Sequence, residues 1–166
     1  MRRNSATFAI LAGGAIAGAI DITYAIVFSG FRGVPATRVL QSVATGLLGA
    51  ASYRGGTPTA ALGLFLHFLI AFIWTAIFYL VSRRSDVLIR HAVVSGIVYG
   101  AFIYAAMNLI VLPLSAFPGR FTFVPLVVTS GLLVHMFGVG CRLRWRRAGR
   151  LRVRSVRLQP DLRRSP

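Results

Sequence analysis

Asp21, His67 and Asn108 each stand inside a long apolar run, and no other residues of this sequence offer as much chemistry. A carboxylate and an imidazole at one depth can pass a proton between them. A carboxylate with a carboxamide can hold a cation in a cavity open to one side. An Asp in mid-span costs about 2.5–3.5 kcal/mol on insertion scales, so it calls for a partner or a role. The competing reading is structural: a buried Asp, His or Asn supplies hydrogen bonds that fix the order of neighbouring helices. The sequence leaves both open. For His67 and His135 taken singly the structural reading weighs more, because a lone imidazole often does no more than satisfy a neighbour.

Little other chemistry is written in the motifs. There is no Gly-rich loop ending in Lys, no HExxH, no CxxC and no G-x-S-x-G. All 19 basic residues are Arg, Lys and Glu are absent, and the acids are Asp21, Asp86 and Asp161. That removes a Lys nucleophile, a Schiff-base Lys and a paired Glu. His and Asp are scattered over both sides and several depths, without metal-ligand spacing on any helix. The expectation is a protein without catalytic residues, metal or cofactor. The single Cys141 excludes an intramolecular disulfide and reads as a small apolar residue at a helix end. The missing Lys and Glu point to a GC-rich, bacterial coding sequence.

The elements that position these residues are set by hydropathy. Apolar residues make up 56% of the chain, charged ones 13%, and the mean hydropathy is +0.72, a membrane composition. The stretch 59–81, TAALGLFLHFLIAFIWTAIFYLV, has no charged side chain unless His67 is protonated. As a helix it crosses the ~30 Å hydrocarbon core. The fold class expected is an all-α membrane protein of four transmembrane helices, about 6–28, 59–81, 91–112 and 121–141. A short amphipathic helix, about 35–51, lies in the interface or re-enters. There Ala36, Val39, Leu40, Val43, Ala44, Leu47 and Leu48 recur at helical spacing, with Arg38, Gln41, Ser42 and Thr45 between them. The first span has an alternative as a cleaved leader with its core at 8–20. The apolar run continuing past Asp21 to Phe28 favours an uncleaved helix.

Each span carries a stripe of small residues, and each intramembrane polar side chain falls on one. Residues four apart share a helical face. The stripes are Gly13, Ala17, Asp21 and Ala25, flanked by Gly14 and Gly18; Gly63, His67, Ala71 and Thr75; Ala92, Gly96, Gly100, Tyr104 and Asn108; and Gly131 with His135, Gly138 three residues on. Small residues let helices approach closely in lipid, so Gly14, Gly18, Gly63, Gly96, Gly100 and Gly131 are the expected packing positions. Leu64, Phe65, Phe68, Phe72 and Phe78 are expected to meet lipid. By rise per residue, Asp21 and His67 both lie roughly 4–5 Å outward of their span centres, and Asn108 about 10 Å outward.

Charge sets the orientation. The N-terminus, the 82–90 loop and the segment after 141 carry 15 Arg, and the other side carries four: Arg32, Arg38, Arg54 and Arg120. The positive-inside rule then puts both termini in the cytoplasm. The tail 142–166 holds ten Arg and one Asp and reads as disordered. Arg142, Arg144, Arg146 and Arg147 are the expected contacts to anionic lipid headgroups; nucleic acid is the less favoured partner.

With the motifs GGAIAGAIDITYA (13–25), RGVPATRVLQSVATGLLGAA (32–51), LGLFLHFLIAF (62–72) and MNLIVLPLSAFP (107–118) in view, the chain resembles a group of small bacterial inner-membrane proteins of unknown function. The resemblance covers most of 13–118. It implies a small multi-span protein, with Asp21, Arg38, Gln41, His67 and Asn108 as recurring polar positions, and no active site. The functional expectation is a non-enzymatic, multi-pass membrane component or scaffold of the bacterial inner membrane, able to pair with itself. The alternative is a small proton- or cation-coupled transporter or channel that uses Asp21, His67 and Asn108 in an oligomer.

Overall fold

The fold follows from hydrocarbon as the solvent: backbone groups must be satisfied within each segment, so the apolar runs become helices. A computed structural model describes residues 2–85, 88, 90–119 and 129–133. Among them there is no strand. α1 is Arg2–Gly30, α2 is Ala36–Leu48, a 3-10 segment follows at Gly49–Arg54, and α3 is Gly56–Arg84. α4, Ala92–Ala106, runs on through a π-helical turn at Met107–Val111 and a last α-turn at Leu112–Leu114. Three helices are long and apolar enough to cross a membrane: Ala6–Gly30, Gly56–Arg84 and Val93–Leu114. This is a helical membrane protein. Of the expected span 121–141, only 129–133 are described, and they are helical. The rest of that span, the tail 142–166 with its arginines, His135, Cys141 and Asp86 lie outside the described residues.

The first two spans are longer than their apolar runs suggest, and the third is shifted two residues toward the C-terminus. α3 takes in Thr57 and Pro58, ahead of the expected span 59–81, because Pro is tolerated in a first helical turn that has no partner for its N–H. α4 continues one residue past Pro113. The π turn just before it offsets the lost N–H: Leu112 N–H reaches back five residues to Met107 O. α1 ends in a Schellman motif. Val34 N–H donates to Ser29 O at 3.0 Å and Gly33 N–H to Gly30 O at 2.9 Å. Gly33 takes the left-handed φ of 77° that this motif requires.

α1 and α3 pack antiparallel, and here the outcome departs from the sequence reading. Phe68 and Phe72 do not face lipid. Their rings sit in the notches left by Gly18 and Gly14, where a Cβ would overlap them. The absent side chains on α1 thus make room for rings as well as backbone. Phe78 is also turned inward, 4.7 Å from the Tyr99 ring. Trp74, Tyr99 and Phe102 complete this aromatic layer between α3 and α4. Leu64 and Phe65 do lie on the exposed face, with Leu69 and Ile73.

α2 and α3 approach each other backbone to backbone. A Cβ on Gly63 would run into the Leu40 carbonyl. α2 crosses the end of the bundle where α1 stops and α3 starts. The segment after α4 docks there too, through Ala116 N–H to Gly46 O at 2.9 Å. The buried face of α2 is Val39, Gln41, Ala44 and Thr45, while Leu47 and Leu48 are exposed. The apolar stripe read from spacing is therefore split: Val39 and Ala44 pack, while Leu47 and Leu48 do not. Gln41 and Thr45, placed between the stripe positions, turn inward.

Candidate functional site

Two polar clusters emerge, one within the spans and one beneath α2. Within the spans, α1 presents Gly18, Asp21 and Tyr24 within two turns. α3 brings His67 against them: its Nε2 lies 2.9 Å from Gly18 O, one turn before Asp21. Such a bond needs the protonated ring nitrogen to face the carbonyl, so Nε2 is the donor. The ring also meets Phe68 edge-on at 5.5 Å. Asp21 is half-buried and engaged rather than free. Tyr24 stacks on Phe28 at 5.4 Å, and its buried hydroxyl has no hydrogen-bond partner among the described residues.

α4 contributes Tyr104 and Asn108. Asn108 Nδ2 donates to Tyr104 O at 2.8 Å. It lies in the π turn, where the shifted ladder disturbs the usual pairing of carbonyls, so the side chain supplies a donor at that point. Tyr104 is near enough to Tyr24 for electrostatic interaction. Its ring packs on Gly131, where a Cβ would come within 3.0 Å. Tyr99 Oη donates to Trp74 O at 2.6 Å and ties α4 to α3. Gly96 and Gly100 are buried. The structure thus brings His67 to the level of Gly18 and Asp21, and it directs the Asn108 amide to its own helix.

The second cluster is better buried. Gln41 Nε2 donates to Gly56 O at 3.0 Å and to Thr59 Oγ1 at 3.3 Å. Ser52 Oγ donates to Gln41 O at 2.7 Å, and Thr59 Oγ1 to Ser52 O at 2.7 Å. Thr45 and Ser52 have no exposed surface. Every bond in this knot joins α2, the 3-10 segment or the start of α3, so it fixes a reversal of the chain rather than opening a cavity.

Sequence reasoning missed Tyr24, Tyr99 and the Ser52–Thr59 pair. Tyr24 carried a signal, one turn from Asp21 on the same helix. Ser52 carried none, because its partners are backbone carbonyls that no residue type announces. Among the described residues, no group of three or more His, Cys, Asp or Glu side chains is placed to hold a metal ion. Compared with protein-family models, curated proteins and solved structures, the chain finds no match.

Proposed function

We propose that this chain is a non-enzymatic multi-pass component of a bacterial inner membrane, a scaffold whose intramembrane polar groups hold its helices in order. The observation that carries the reading is the His67–Gly18 bond. An imidazole whose Nε2 is committed to a backbone carbonyl joins α3 to α1. Asn108, bonded to Tyr104 O, is used the same way. Both termini face the cytoplasm on the Arg count, and the basic tail, with Arg142, Arg144, Arg146 and Arg147, meets anionic headgroups. α2 is re-entrant rather than flat on the surface. Its polar residues Gln41 and Thr45 turn toward protein and its Leu47 and Leu48 turn outward, the polarity that suits an element dipping into hydrocarbon.

The test is proton flux. The full chain and Asp21→Asn are reconstituted in vesicles with an entrapped pH-sensitive dye. Neither is expected to conduct protons above empty vesicles. A flux that Asp21→Asn abolishes overturns the scaffold reading.

One observation favours the transporter alternative: the Tyr24 hydroxyl, on the same helix as Asp21, is buried without a partner among the described residues. A coupled transporter would use Asp21, His67 and Asn108 around it. So few helices rarely enclose a path alone, so that reading requires an oligomer. Cross-linking in native membranes that yields monomer alone counts against it.

A further inference from the structure

We propose that the corner between α1 and α2 binds the phosphate of an anionic phospholipid headgroup, through Arg32 and Arg38, each held over an aromatic ring. The Arg38 guanidinium carbon lies 4.1 Å from the centroid of Tyr53, and that of Arg32 lies 6.0 Å from the centroid of Phe28. Both arginines are exposed, and Arg54 follows Tyr53 directly, exposed as well. The corner that separates them is stiff: the Schellman motif closes it and Pro35 fixes the entry to α2.

Among the described residues these cations have no counter-ion. No Asp or Glu occurs between Asp21 and Asp86. Asp21 lies nine residues inside the end of α1 at Gly30, roughly 14 Å along the axis. Among the described residues, three arginines therefore share one end of the spans with no carboxylate beside them, and an anion from outside the chain is the natural partner. At a span end the anion at hand is the lipid phosphate. A guanidinium stacked by its face on Tyr53 keeps its N–H edge for a bidentate contact, the geometry that suits phosphate. This surface lies at the opposite end of the spans from Arg83 and Arg84, so it is separate from any contact the basic tail makes.

The full chain is placed in nanodiscs of phosphatidylcholine doped with a phosphatidylglycerol probe bearing a photoreactive group at its headgroup. Labelled peptides are then mapped; cleavage after Arg separates 33–38 and 39–54 from the tail. Loss of one Arg contact near an anionic surface corresponds to about a fivefold fall. Arg38→Ala is therefore expected to lower labelling of 33–54 about fivefold and leave tail labelling unchanged. Arg38→Lys, which keeps the charge and loses the fork, falls between. Tyr53→Leu, which frees the guanidinium, also lowers it. Arg38 is exposed, so an unaltered thermal transition is expected and separates lost binding from lost fold. The proposal is overturned if 33–54 is labelled equally in wild type, Arg38→Ala and Arg32→Ala. It is also overturned if a phosphatidylcholine probe labels that segment equally. Complete displacement of the label by millimolar inorganic phosphate overturns it as well, in favour of a site for free phosphate.

Discussion

His67 and Gln41 represent two kinds of intramembrane polar residue, and they differ in what their loss should do. His67 is half-buried and adds one bond to a carbonyl that the α1 ladder also uses. Interhelical bonds of this type average about 0.6 kcal/mol in membrane proteins. His67→Leu is therefore expected to cost no more than about 1.7 kcal/mol in detergent unfolding. Gln41 is 6% exposed and sits in a closed ring of bonds with Ser52 and Thr59. Removing Ser52 Oγ deletes a buried bond to the Gln41 carbonyl, at about 0.5–1.5 kcal/mol. Gln41→Leu and Ser52→Ala share this network, so their effects should not add. A double-mutant cycle is expected to return a coupling of about 0.5–3 kcal/mol. A coupling near zero would mean the two side chains act independently.

Between elements, glycine does two different jobs, and substitution separates them. At Gly14 the neighbour of an added Cβ is the Phe72 ring, which can swing. At Gly63 it is the Leu40 carbonyl, part of the α2 backbone, which cannot move without α2 itself. Alanine in place of glycine gains about 1 kcal/mol of helix propensity at either site. Overpacking costs about 1–3 kcal/mol, at the high end where only backbone can yield. Gly14→Ala is thus expected to be nearly neutral, and Gly63→Ala to be destabilising by about 2 kcal/mol, read by thermal or denaturant unfolding with Trp74 fluorescence. Equal effects would deny the backbone approach at Gly63. This pair also marks what the sequence makes legible. The presence of glycine stripes on the spans is plain from spacing. What fills each notch is not, because Phe68 on α3 and Leu40 on α2 are far apart in the chain and equally apolar on paper. The same limit hid the packed face of α2. Helical spacing identifies two faces, but a helix next to lipid can turn either one inward, and the Gln41 bonds to Gly56 O and Thr59 Oγ1 bring its polar side in beside Val39 and Ala44.

For the whole molecule, the reading that it lives in hydrocarbon was available from composition alone, and the long apolar helices agree. Large apolar side chains such as Phe8, Phe65 and Leu109 stand exposed on three different helices, an arrangement that lipid accommodates and water does not. Direction through the bilayer is a separate matter, carried by the 15-to-four division of arginines. The single native thiol makes it testable. In a Cys141→Ser background, Ala51→Cys places a thiol at the exposed α2 end of the bundle, and His91→Cys places one at the exposed start of α4. With intact cells, a membrane-impermeant maleimide is expected to label Ala51→Cys at once and His91→Cys only after the membrane is opened. The reverse pattern would invert the protein and place the Arg32–Arg38 corner on the cytoplasmic leaflet. Labelling of both from one side would be worse for this account, since α3 lies between the two positions and would then not cross the membrane at all.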